Sequence, residues 1–461
     1  MEVFSSKVIN EDFCIGCGVC AYVNPNKYTI SFDDYGMLKA RAGSASAVVD
    51  DSQYEKLINK VCPFSPEALD EDEIAMSLYE GMNKDKYIGY YQSLYIGYVK
   101  SGEFREAGSS GGVGKWLLYS LLSTEVVNKV IQVAYSDKKD LAYEYRIFNG
   151  PEDVLLGSKS AYYPVTLEEA LSYIKNNKGS YAVTAVPCFS KAIRNLAKHD
   201  NIIAERVKVV VGIVCGHLKS KGFAESFAWQ QGVAPKNLSN IDFRGKIPGK
   251  KANDKGVIVT DRQGKKTSAK SSKELFGGNW GHNLFKYKAC DYCDDVLAET
   301  ADCAIGDAWL PEVMEDHRGN NIVVVRSELL RNVIESGISS GDLELKEIST
   351  DQVVKSQLGG IRHRKEGLAW RLAQDESVGQ WYPKKRVSPS EKINPDRARI
   401  YEARVELREA SHIHFLEAKE RSDYSYFVKK LSPLIKKVEY RPLWRRAASY
   451  IKQKALKVSG K

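Results

Sequence analysis

The sequence predicts an α/β fold: a central domain on a mostly parallel sheet, preceded by an N-terminal ferredoxin-like 4Fe-4S module and followed by a helical, basic C-terminal appendage. Three observations carry this expectation. The chain has 461 residues, 43% hydrophobic and 28% charged, enough for two or three domains with a sizeable core. From Tyr90 onward, short β-branched and aromatic runs alternate with stretches of helical apolar spacing, the pattern of a layered α/β protein. Both ends depart from that pattern, the first through clustered cysteines and the last through clustered charge.

Residues 1–75 form the cysteine module, closed by the acidic stretch Asp70-Glu71-Asp72-Glu73, which reads as a surface linker. The central domain spans 88–372, with strands expected at 94–99, 130–135, 181–186, 207–214 and 321–326. Helical spacing falls at 116–122, 192–197 and 328–336. Residues 373–461 are charged, with helical spacing at 396–420 and 442–458. No internal repeat is visible. The longest apolar runs are short, such as 209–215, and the N-terminus lacks the charged-then-apolar layout of a signal peptide. The expectation is therefore a cytoplasmic protein, neither membrane-spanning nor secreted.

Nine cysteines in a reducing compartment, five of them in Cys-x-x-Cys spacings, argue for metal ligation over disulfides. Cys14-Ile-Gly-Cys17-Gly-Val-Cys20 can wrap three thiolates around one face of a [4Fe–4S] cluster, with Gly16 and Gly18 allowing a tight turn. A structural zinc site is the alternative, although zinc modules usually separate two Cys pairs. A bacterial ferredoxin would place its fourth Cys where Asn24 stands before Pro25; the candidate replacement is Cys62, which precedes Pro63. Cys188 and Cys215 end predicted strands, at the sheet edge where ligands collect, and Cys290-Asp-Tyr-Cys293 completes a second four-sulfur set. A redox-active Cys290–Cys293 dithiol is its rival. Cys303, flanked by apolar residues, reads as structural.

The ordered motifs span about residues 8–370: the cysteine module, Glu106-Ala-Gly-Ser-Ser-Gly-Gly112, Gly157-Ser-Lys159, Val186-Pro-Cys188, Val214-Cys215-Gly-His217, Asp242-Phe-Arg-Gly-Lys246, Cys290-x-x-Cys293 and Gly306-Asp-Ala-Trp309. In this order they resemble the beta-subunit family of coenzyme F420-reducing hydrogenases and dehydrogenases, which also includes a plant reductase of the 7-hydroxymethyl group of chlorophyll. The resemblance implies an iron–sulfur flavoprotein oxidoreductase that carries FAD beside one or two [4Fe–4S] clusters, with the flavin at the cluster-facing edge of the α/β domain. A soluble electron donor is implied, a reduced deazaflavin or a ferredoxin-like carrier. The alternative is a non-catalytic electron-transfer subunit serving a separate catalytic partner. A flavin exchanges two electrons and a cluster one, so both in one chain convert between hydride donors and one-electron carriers.

Ser109, Ser110, Gly111 and Gly112 precede a helical stretch and are candidates to receive a pyrophosphate at its N-terminus; an ordinary Ser cap and Gly turn is the alternative. Lys159 and Arg244 are candidate phosphate or flavin contacts, against solvated surface charges. His217 is a candidate proton relay to reduced flavin, against a merely hydrogen-bonded ring. Asp307 either orients a ligand or caps a helix. The stretch 356–365, with three cations and a histidine, faces an anionic substrate or forms a solvated, salt-bridged loop. It resembles a subgroup of the family associated with polysaccharide biosynthesis, whose companion would be a pyruvyl-transferase-like protein.

The net charge of +9 is concentrated at the end of the chain: residues 428–461 hold 11 Lys/Arg against Glu439 alone. The spacing at 442–458, with Trp444 among apolar residues and Arg445, Arg446, Lys452, Lys454 and Lys457 around them, suits an anionic membrane surface or a protein partner. Localisation at the inner membrane surface follows from the first reading. No nucleic-acid module accompanies it, so nucleic acid is not expected as a partner.

Overall fold

A computed structural model describes residues 4–43 and 52–440. Its centre is an eight-stranded sheet. Numbered along the chain within this sheet, the strands are β1 (Ser93–Val99), β2 (Lys129–Tyr135), β3 (Tyr143–Phe148), β4 (Tyr181–Ala185), β5 (Val207–Ile213), β6 (Cys303–Asp307), β7 (Asn321–Val325) and β8 (Leu343–Glu347). The order across the sheet is β8-β1-β7-β6-β5-β4-β2-β3. The core quartet β6-β5-β4-β2 is parallel, and the four outer pairings are antiparallel.

Alternation within the central strands explains why they are predominantly apolar. Ile131, Tyr181, Val183, Val210, Ile322 and Val324 face one core, covered by the helices Glu168–Asn176 and Pro187–Ala197. Their neighbours Val130, Ala182, Val209, Val211, Val323 and Val325 face the other, covered by Val113–Ser123 and Glu328–Ser339. A sheet buried on both faces has no polar side to show. Each fully buried Val or Ile contributes about 1.5–3 kcal/mol relative to exposure.

The N-terminal module adds an antiparallel hairpin, Tyr28–Phe32 with Leu38–Ala42, and the helices Val19–Val23 and Ser52–Val61. Phe13, Ile58 and Val61 share the core of Tyr181 and Val183, so the module packs directly on the sheet. The acidic stretch is not a surface linker. Asp70 caps the helix Glu71–Tyr79 through a reciprocal pair with Glu73, at 3.0 and 2.7 Å. Acids at a helix N-terminus are favoured by the backbone dipole. Glu71 is buried against Lys191 at 3.3 Å and Arg386 at 3.6 Å.

Position 372 lies inside the helix Glu366–Ser377, because Leu368 and Leu372 are fully buried in the central core. The helices Pro395–Arg421 and Tyr424–Glu439 follow. Leu407, Phe415, Phe427 and Leu431 pack there against Ile241, Phe243 and Val257 of a smaller sheet, Leu238–Gly245, Gly256–Asp261 and Lys270–Ser271. The helical stretch expected at 442–458 lies outside the described residues. No described helix is long and apolar enough to cross a membrane.

Candidate functional site

Two groups of cysteines assemble on one side of the sheet. Cys14 and Cys17 lie on the turn leading into the helix Val19–Val23, Cys20 in that helix, and Cys62 directly follows Ser52–Val61. All four line one small apolar cavity with Phe4, Phe13, Ile30, Ile58 and Val61. Gly16 is left-handed (φ 67°), and a Cβ there would collide with the carbonyl of Leu38. The close approach leaves the amides of Gly16 and Ala40 donating to Cys14 Sγ at 3.4 and 3.2 Å. Asn24, where a ferredoxin would carry cysteine, ends the helix by donating its amide to the carbonyl of Cys20 at 2.9 Å.

Two members of the second group follow the carboxyl ends of β4 and β5. Cys188 sits in the first turn of Pro187–Ala197, Cys215 just after β5, and Cys290 and Cys293 on and after the short turn Lys288–Tyr292. The Leu218 amide donates to Cys290 Sγ at 3.2 Å. Burial, followed by the sulfurs of Cys293, Cys215 and Cys290, pushes the Cys188 thiol far up. Burial likewise raises Cys17 to about 12, and it raises Cys20 and Cys62, with the neighbouring sulfurs adding to the rise in each. Clustered thiols that resist ionisation alone are the state a cationic metal core reverses, because ligation removes their protons.

The surroundings fit iron–sulfur clusters. Amide donors aimed at sulfur are their usual outer contacts. Beside the second set lies Arg364, 2% exposed, which donates to the carbonyls of Cys215 and Gly216 at 2.8 and 2.6 Å. Burial works against its charge, but the sulfurs of Cys293 and Cys215 hold it on. Its Nε is buried without a partner among the described residues. Asp291, inside the Cys-x-x-Cys loop, is 1% exposed and meets Lys286, Arg408 at 2.5 Å, His363 at 3.4 Å and Arg371 at 3.9 Å. That clamp ties the loop to the C-terminal helices. Among the described residues, no three His, Cys, Asp or Glu side chains are drawn together around a single metal ion. Cys303 belongs to neither group and faces the helices Val113–Ser123 and Glu328–Ser339.

A cavity of about 710 Å³ opens at the carboxyl ends of the parallel strands, lined by Ala185, Val186, Ile213 and Val214. Its lining includes Ser109, Ser110, Gly112, Lys115, Lys159, Ser160, Arg244 and Lys255, together with Cys215, Gly216, His217 and Trp280. Gly112 (φ 87°) brings the loop within reach of the backbone of residue 105, where a Cβ would lie 2.6 Å from the amide nitrogen. Gly111 does not line the cavity: it turns toward β1 and β7, and its carbonyl accepts from Val99 at 2.8 Å. Lys159 pairs with Asp242 at 2.9 Å. Arg244 pairs with Asp307 at 2.6 Å and reaches Tyr162 and the Ser109 carbonyl, so Asp307 orients a cation and caps no helix.

Two cavity cations, Lys115 and Lys255, carry no legible sequence signal. Lys115 donates to three carbonyls, those of Val154, Leu155 and Gly157, and is pushed down to about 8 by burial and by Lys159. Lys255 is likewise near 8, through burial and then Arg244. His217 stacks on Trp280 at 4.2 Å with its Nε2 unpartnered among the described residues; burial and then Lys219 keep it neutral. The stretch 356–365 is not a solvated loop. It belongs largely to the helix Thr350–Arg364, whose Ser356, Gln357 and Arg364 are buried and line the cavity.

Fold and site define an α/β protein with two groups of four cysteines near one ligand-sized cavity. Residues 94–172 match the family model for the N-terminal part of the coenzyme F420 hydrogenase/dehydrogenase beta subunit, and residues 178–351 match the model for its C terminus. Together these cover more than half of the chain, which belongs to this family of oxidoreductase subunits. Among solved structures it is similar to a chain from a study of xenon derivatization of the F420-reducing [NiFe] hydrogenase complex from Methanosarcina barkeri. The identity is 17% and the TM-score 0.49, over 66% of this chain and 99% of that one. No curated protein matches the sequence.

Proposed function

We propose that the protein is an iron–sulfur flavoprotein oxidoreductase, moving electrons between two [4Fe–4S] clusters, FAD and a soluble donor or organic substrate. Cys14, Cys17, Cys20 and Cys62 would hold one cluster; Cys188, Cys215, Cys290 and Cys293 the other. One observation carries the reading: a single cavity is lined both by the cations Lys115, Lys159, Arg244 and Lys255 and by Cys215 of the second set. When bound there, a flavin would supply exchange of two electrons on one side and single electrons on the other. Ser109, Ser110 and the Gly112 turn, with Lys115, Lys159, Arg244 and Lys255, would receive its phosphates. His217 lies beside Cys215, and its unpartnered Nε2 suits it to hold or pass a proton inside the cavity. Tyr145 lies within electrostatic reach of both Cys188 and Cys17, one from each sulfur set.

Anaerobically purified protein should contain about eight irons and matching acid-labile sulfide, plus one FAD. About four irons would leave one cysteine set wrong, and neither iron nor flavin would refute the reading. The second reading, a relay subunit for a catalytic partner, is favoured by membership of a beta-subunit family. Reducing the isolated protein and offering candidate acceptors separates the two: a relay is not reoxidised by an organic substrate without its partner. The proposed donor is a reduced deazaflavin or ferredoxin-like carrier, and the proposed setting is the cytoplasm. Peripheral membrane contact is tested by liposome flotation after deleting 440–461; unchanged flotation removes it.

A further inference from the structure

We propose that the rim of the large cavity holds a subsite for an oxyanion, a carboxylate or phosphate carried by a small organic substrate, with Arg362 and Arg404 as its ligands. That this substrate exchanges electrons rests on the flavoprotein reading above; the anion site itself rests on the arginines. Arg362 lies on Thr350–Arg364 and Arg404 on Pro395–Arg421, both beyond the matched span 178–351, and both line the same cavity as His217 and Trp280.

Their neighbour Arg397 already has partners, Glu366 at 3.2 Å and the Tyr401 hydroxyl at 2.6 Å. Among the described residues, Arg362 and Arg404 have no carboxylate within ion-pair distance, and Arg404 Nε is buried without a hydrogen-bond partner. The Arg404 guanidinium packs over Gly281, where a Cβ would lie 3.2 Å from Nη2. Burial, then the charges of Arg397, Arg362 and Arg371, disfavours the charged form of Arg404. Crowded guanidinium groups are relieved by an oxyanion, which their planar forks match in geometry. The pyrophosphate of FAD is its one strongly anionic group, and the cavity cations Lys115, Lys159, Arg244 and Lys255 are suited to it, which leaves Arg362 and Arg404 over for a different anion.

The test uses the full-length, anaerobically purified protein with inorganic phosphate or malonate as probes. Either or both should slow modification of Arg362 and Arg404 by phenylglyoxal, mapped by peptide mass spectrometry. Protection by phosphate alone assigns a phosphate-bearing substrate, and by malonate alone a carboxylate. The Arg362→Gln, Arg404→Gln double variant should bind the protecting anion about tenfold or more weakly, with iron and flavin contents unchanged. Unprotected arginines under both probes, or unchanged affinity in a folded double variant, overturn the proposal. Absence of iron or flavin in the same preparation overturns the redox reading instead, and leaves the protection result standing. Should the double variant fail to fold, protection in the native chain still decides.

Discussion

Replacing Arg364 by methionine tests whether the buried guanidinium serves the second cysteine set or only the packing. Methionine is close in length and fills the site without charge. The carbonyls of Cys215 and Gly216 lose their donors at 2.8 and 2.6 Å, at about 1–3 kcal/mol for each group left unsatisfied. The electrostatic consequence is separate. A unit charge at roughly 6 Å through an effective dielectric of ~20 is worth about 2.8 kcal/mol, or about 120 mV for one electron. Removing a positive charge makes the reduced, more negative cluster harder to form. The potential of the second cluster should therefore fall by roughly 60–120 mV after dielectric relaxation. Anaerobic redox titration followed by electron paramagnetic resonance measures this, with the first cluster as internal control. A variant that keeps its full iron content with both potentials unmoved would refute the assignment of Arg364 to this site.

Three more outcomes follow from the same geometry. Lys115 and Lys255, both lining the cavity, lie near 8, each first through burial; a bound pyrophosphate would raise them again. FAD affinity should then be level below about pH 8 and fall as pH rises above it, while the empty protein gains stability from about 8 toward the ordinary lysine value of ~10.4. Fluorescence titration of the apoprotein across this range checks the first statement, and a flat profile contradicts it. Asp291→Asn strips the partner from buried Lys286, Arg371 and Arg408; a loss of about 3–5 kcal/mol is expected, with iron dropping from about eight to about four per chain. Cys303→Ala, in the β6 core, should leave iron and flavin contents unchanged and cost ~1 kcal/mol in denaturant unfolding.

The central strands were legible because burial on both faces writes itself into composition. β3 and β8 were not: they are edge strands in which exposed residues interrupt the buried ones, as in Leu343-Glu-Leu-Lys-Glu347, so their apolar signal is weak. The Asp70-to-Glu73 cap and the Ser349-to-Gln352 cap were both readable as helix starts. Charge density concealed them behind the look of a linker and a loop. The cysteines stood out because their chemistry resides in residue type and spacing. Lys115 and Arg364 did not, since a cation on a helix looks solvated until distant chain covers it. The carbonyls that meet Lys115 come from residues 154–157, and those that meet Arg364 from residues 215 and 216.

Topology accounts for how segments so far apart reach one place. Parallel β4 and β5 are neighbours, so the residues just past their ends, Cys188 and Cys215, emerge side by side without any local motif. The cavity opens at the same carboxyl edge, and Cys215 lines it. On the opposite flank, Cys188 is close enough to Cys17 for their charges to interact, and Ile15 of the first module lines both the small cavity and the large one. In the proposed relay this arrangement would set an order: Cys17 and Cys188, within charge-interaction range of each other and of Tyr145, would hold the facing sides of the two clusters, and Cys215 would hold the second beside the flavin. Tyr145→Phe keeps the ring and loses only the hydroxyl bond to the Thr184 carbonyl at 3.0 Å. Transfer between the clusters should then survive, whereas replacing Cys17 with serine should abolish electron entry from the first cluster and leave direct reduction of the flavin intact.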